Sequence, residues 1–174
     1  FEAMVRGISV LKEWTDKARA TIVYDSTNDE FTHNGLFDKV KGKPDIALVA
    51  FTADGDVFGG FYNVAVTEPF KAFNDPDMFI FSYESHGRCM TPQRFAVKDE
   101  VRRSRYVRFY TNPSSRTFVC VGGDYGWFFL GNERSDTCCS DLSDYFVCIE
   151  NTTLTGKGNR ERFTCTRIVA VHLQ

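Results

Sequence analysis

The chain has 174 residues, 43% of them hydrophobic and 25% charged. That balance excludes disordered and fibrous chains and suits one domain with a single core. Its 21 Lys and Arg face 23 Asp and Glu, a net charge of -2, which excludes a surface that is basic throughout.

No run approaches the roughly 20 apolar residues that cross a bilayer. Phe1 in place of an initiating Met is what a fragment or trimmed chain shows. The 17 Phe favour β structure, because aromatic rings fit the half-buried face of a sheet.

Residues 1–17 carry Met4, Ile8, Leu11 and Trp14 at helical spacing, which predicts an amphipathic helix ahead of a main domain over 18–174. Thr21-Ile22-Val23-Tyr24 then reads as a strand ending at the turn cluster Asp25-Ser26-Thr27-Asn28. Thr32 is placed to cap a short helix through Leu36, Phe37 and Val40, stopped by Gly42 and Pro44. The apolar runs 46–51 and 57–66 flank Asp54-Gly55-Asp56, a hairpin signal, because a tight turn needs the positive φ that Gly supplies. Further short strands are predicted over 78–83, 95–97, 106–110, 118–121, 127–130, 145–149 and 163–173. Many short strands with few helices indicate a mainly β, two-layer antiparallel sandwich with an N-terminal helix.

Six cysteines, Cys89, Cys120, Cys138, Cys139, Cys148 and Cys165, are enough for three disulfides. Their irregular spacing, in a domain large enough to stand without staples, favours free thiols in a reducing compartment. Cys120, Cys148 and Cys165 lie in apolar runs and read as buried, whereas Cys138-Cys139 reads as a more reactive loop pair. Adjacent cysteines fit zinc poorly, since ligands two to four apart are needed to reach one ion.

Asp54, Asp56, Asp75 and Asp77 lack the calcium-loop pattern and read as turn and cap residues. His86 precedes Cys89 by three residues, but a catalytic dyad also needs an orienting group and an oxyanion site that the sequence does not identify. No catalytic motif, metal site or cofactor-binding pattern emerges.

Charge is less evenly spread than the total suggests. Arg88, Arg94, Lys98, Arg102, Arg103, Arg105 and Arg108 face only Asp99 and Glu100 across 88–108. The interior of this segment is too polar for burial by ordinary preference, so it is expected to be an exposed basic connection contacting an acidic partner. Tyr106 and Tyr110 add rings for base stacking, which keeps nucleic acid open as a second partner.

The strand and turn words also resemble a known family. Ile22-Val23-Tyr24-Asp25-Ser26-Thr27, then Asp56-Val57-Phe58-Gly59-Gly60-Phe61, then Asp75-Pro76-Asp77-Met78-Phe79, resemble successive blocks of the TLDc domain. Val121-Gly122-Gly123-Asp124 with Trp127-Phe128-Phe129-Leu130 resembles its Gly-Gly-aspartate block, and Leu154-Thr155-Gly156 leading to Phe163 its last block. The resemblance spans 18–174. The stretch 84–108 looks peculiar to this protein or to a divergent branch such as a protozoan one, and Val169 stands where the family often carries Glu.

The resemblance implies a two-sheet sandwich in cytoplasmic proteins linked to oxidative-stress resistance and, in several members, to regulation of the vacuolar proton pump. It implies no agreed catalytic site. Asp56, Gly59, Gly60, Asp75, Gly122 and Gly123 then read as structural positions, with Gly59 and Gly60 allowing a bulge or close backbone approach. The leading expectation is a non-enzymatic protein-interaction module, with a nucleic-acid-binding regulator second and a cysteine- or metal-dependent enzyme third.

Overall fold

The computed structural model describes residues 2–123, 127–131 and 137–174. In chain order they form α1 (Glu2–Thr15), β1 (Ala20–Asp25), α2 (His33–Val40), β2 (Ile46–Thr52), β3 (Val57–Tyr62), β4 (Phe73–Asn74), β5 (Phe79–Glu84) and β6 (Gln93–Ala96). A 3-10 helix (Asp99–Ser104) leads to β7 (Tyr106–Phe109), β8 (Thr117–Val121), β9 (Trp127–Gly131), β10 (Thr137–Ser140), α3 (Leu142–Tyr145), β11 (Arg162–Phe163) and β12 (Cys165–Leu173). The strands make two six-stranded antiparallel sheets, ordered β1-β12-β2-β3-β5-β6 and β11-β10-β9-β8-β7-β4. No described helix is long and apolar enough to cross a membrane.

The two-residue period of the strands divides the apolar side chains between two cores. Ile46, Leu48 and Ala50 join Phe58, Tyr62, Val119, Val121 and Ile168 between the sheets. Their alternates Ala47, Val49, Phe61, Phe79, Phe81, Val169 and Val171 face outward and are covered by α1 through Met4 and Leu11. Leu11 is fully buried, worth about 1.5–3 kcal/mol relative to exposure. Val169 belongs to this second core and has no exposed surface, so a glutamate there would put a carboxylate under the helix.

Mid-helix Gly7 has a steric reason: a Cβ would run into the Tyr83 ring, whose hydroxyl donates to Gly7 O at 2.9 Å. Trp14 packs at the other end of α1, its ring centroid 6.0 Å from those of Phe79 and Phe81.

The expected local signals operate as written at two helix and turn boundaries. Thr32 Oγ1 accepts from Gly35 N at 3.0 Å and caps α2, and Gly42, at φ 71°, follows its end. The 52–56 turn is closed by Gly55 N donating to Thr52 O, with Gly55 at φ 89°.

Three expectations are corrected. The strand expected over 57–66 ends at Tyr62. The strand expected over 145–149 is instead the end of α3 and irregular chain, joined to β6 by a single bridge between Val97 and Phe146. The closing strand is two, β11 and β12. Periodicity over four or five residues cannot separate a strand from the end of a short helix packed by the same apolar residues.

Candidate functional site

The Asp-Gly turn between β2 and β3 buries Asp56 to 2% exposure. Its carboxylate accepts from His86 Nδ1 at 2.9 Å and from Arg88 Nη2. Arg88 also donates through Nε to Thr153 O at 3.0 Å and through Nη2 to Leu154 O at 3.2 Å. One guanidinium therefore joins three loops: the hairpin tip, the connection after β5 and the segment after α3.

A buried carboxylate is tolerated when charge-assisted donors replace its water, and Arg88 with His86 supplies them. His86 and Gly87 both sit at positive φ, 50° and 84°, which turns the chain so that both side chains reach one acid. His86 is thereby directed to Asp56. The amide of Cys89, its partner in the dyad considered above, donates to Ser85 Oγ at 2.6 Å.

The basic segment is dispersed rather than gathered. Arg94 Nη1 donates to Trp14 O at 2.8 Å and its guanidinium lies 5.5 Å from the Phe79 ring centre, which pins the C-terminal end of α1. Lys98 Nζ donates to Ser143 O at 2.9 Å. Arg102 pairs with Asp77 and, at 3.3 Å, with Asp99, and donates to Pro76 O at 3.1 Å.

Arg105 was expected outside and is 3% exposed, its guanidinium 4.4 Å from the centre of the Tyr145 ring. A weakly hydrated planar cation can stack on an aromatic face where an ammonium would stay in water. Arg108 lies 4.8 Å above Tyr106, itself only 8% exposed. Tyr106 thus presents no open face for a base. Arg103 alone of the seven is exposed with no side-chain hydrogen bond or ion pair among the described residues.

The structural positions have identifiable duties. Asp75 Oδ1 accepts from Asp77 N at 3.1 Å, and the carboxylate also takes Asn63 N, tying the β3 exit to the turn before β5. At Gly59 a Cβ would overlap Leu48 O and the Phe81 ring, so close backbone approach is the reason for that glycine. Gly60 is buried on the same strand. Gly122 and Gly123 both have positive φ, 117° and 108°, and Gly122 N donates to Tyr106 O. Asp124 lies outside the described residues.

The cysteine expectations are corrected. Cys138 and Cys139 are on β10, each 5% exposed, and burial pushes the Cys139 thiol far above its ordinary value. Cys148, expected inside, is exposed at φ 58°. A pair of cysteines on successive strand positions faces both sides of a sheet, and here both sides are covered.

Sequence reasoning missed the pair of Asp25 and Arg167, 142 residues apart, in which Arg167 Nε donates to Asp25 Oδ1 at 2.9 Å. The hydrogen bond from Arg167, with lesser help from Thr27, lowers the Asp25 pKa to about 2. It also missed a cavity of about 480 Å³ at the start of α2, lined by Phe31, His33, Pro113 and Phe118, where His33 Nε2 bonds Ser115 O at 2.8 Å.

The arrangement ties loops together and leaves an exposed corner at the 3-10 helix, where Arg103 stands unpaired among the described residues beside Arg102, Asp77, Asp99 and Glu100. Among curated proteins the chain finds no significant match. A family model described as the TLDc domain matches residues 3–168, from within α1 into the first half of β12. The chain belongs to the TLDc domain family.

Proposed function

We propose that this TLDc domain is a non-enzymatic, cytoplasmic protein-interaction module serving the oxidative-stress response or the regulation of the vacuolar proton pump, and that it docks an acidic partner surface through the corner formed by Arg102 and Arg103. The observation that carries the proposal is the 3-10 helix Asp99–Ser104, none of whose residues is buried. The neighbouring cations Arg88, Arg94, Lys98 and Arg105 hold the fold, whereas folding gains little from a charge at Arg103, because exposed charges contribute little to stability. A charge without a folding role on a surface connection is the kind of group that steers association.

The test is binding of purified vacuolar proton pump to the immobilised domain at low and at moderate salt, with Arg103→Glu beside the parent. Charge reversal is expected to weaken binding by about tenfold and salt to weaken the parent, with the thermal midpoint unchanged. Equal binding by the two proteins refutes the assigned surface. Salt-sensitive capture of labelled RNA or DNA, without capture of the pump, refutes the protein-interaction reading in favour of nucleic acid.

A further inference from the structure

We propose that Ser104 is a phosphorylation site for a basophilic serine/threonine protein kinase, and that Arg103 and Arg105 receive the phosphate. Ser104 is exposed and closes the 3-10 helix, with arginines at the two preceding positions and at the next one. The helix has no buried residue, so opening it to fit a kinase cleft breaks few apolar contacts.

One receiving group is already in place. Arg105 is 3% exposed, yet its Nη2 lies 2.9 Å from Ser104 Oγ, so a buried, stacked cation reaches out to the atom that would carry the phosphate. Arg103 adds a second, outward guanidinium. Arg102 remains with Asp77 and Asp99.

In the modification Ser104 Oγ attacks the γ-phosphorus of kinase-bound Mg-ATP. The new O–P bond forms as the bond to the bridging oxygen of ADP breaks, and the hydroxyl proton passes to the kinase base. Ser104 Oγ then no longer donates to Val101 O, a bond of 2.8 Å before modification. Charge-assisted bonds from Arg103 and Arg105 to the phosphate oxygens replace it. The corner gains about two negative charges beside Asp77, Asp99 and Glu100. If the docking surface proposed above is correct, an acidic partner is then repelled; the phosphate site itself does not depend on that reading.

The experiment treats the folded chain with Mg-ATP and the catalytic subunit of a cAMP-dependent kinase, and locates phosphate by tandem mass spectrometry. A single phosphate at Ser104 is expected, abolished in Ser104→Ala and slowed at least about tenfold in Arg103→Gln, since charge pattern sets kinase choice. Phosphorus NMR then follows the second ionisation of the phosphate. Seating against two guanidiniums should move it below the value of about 6 usual for phosphoserine. Absence of phosphate at Ser104, or its appearance only after heat unfolding, overturns the site. An unshifted titration overturns the role of Arg103 and Arg105.

Discussion

Replacing Arg88 by Met keeps the apolar stem of the side chain and removes its guanidinium, leaving Asp56 with His86 as its remaining side-chain partner among the described residues. Three bonds go: to the Asp56 carboxylate, to Thr153 O and to Leu154 O. Breaking a buried ion pair from one side costs about 3–5 kcal/mol because a charge is left without compensation. The Asp56 side chain is 2% exposed, but that of Arg88 is 28% exposed, so water can enter from the arginine side. A loss somewhat below that range, about 2–3 kcal/mol, is therefore expected. For a chain of this length that corresponds to a fall of about 5–10 °C in thermal midpoint.

Differential scanning calorimetry at neutral pH on the parent, Arg88→Met, Asp56→Asn and the double variant measures the effect and its coupling. Coupling of at least about 1 kcal/mol is expected for two groups in direct contact. A loss under about 0.5 kcal/mol in Arg88→Met, or strictly additive single variants, would refute the clamp.

Gly59→Ala places a methyl group on Leu48 O and the Phe81 ring, and a loss above about 3 kcal/mol is expected because backbone on a central strand cannot move aside; a urea midpoint near the parent's would contradict it. Alkylation of the native chain followed by peptide mapping should modify Cys148 first and Cys139 last, since the one is exposed and the other has a thiol pKa raised by burial; faster labelling of Cys139 would show β10 to be open. Asp25 has its pKa lowered from 3.8 to about 2 by Arg167, so its contribution to stability is present above the unfolded value and is lost as pH falls from about 4 to about 2. Asp25→Asn should therefore lose less stability than the parent across that window in urea titrations, and an equal loss would remove the pair from the account of acid stability.

The local levels of structure were legible in the sequence because their causes are local. The spacing of Met4, Ile8, Leu11 and Trp14, the cap at Thr32 and the turn at Gly55 each act within a few residues, and the structure follows them. Alternation in the strands also pointed to a sandwich. The apolar face of the first helix pointed to its lying against the sheets, but not to which strands it covers, so Val49 and Val169 look like any strand valines until α1 lands on them.

The candidate site was less legible, since sequence gives the charge of a segment and not the partners of each charge. The run from Arg88 to Arg108 reads as a single basic connection. In three dimensions Arg88 meets a hairpin 32 positions earlier, Arg94 reaches the end of the first helix 80 positions earlier, and Arg105 stacks on Tyr145. Only the fold decided that Arg105 is inside and Arg103 outside, because a guanidinium's burial is set by the aromatic faces, carbonyls and carboxylates that distant segments bring to it. The same holds for the thiols. The sequence placed Cys148 in an apolar run and Cys138-Cys139 in a loop, whereas the pairing of β10 between β9 and β11 covers Cys138 and Cys139, and Cys148 is exposed.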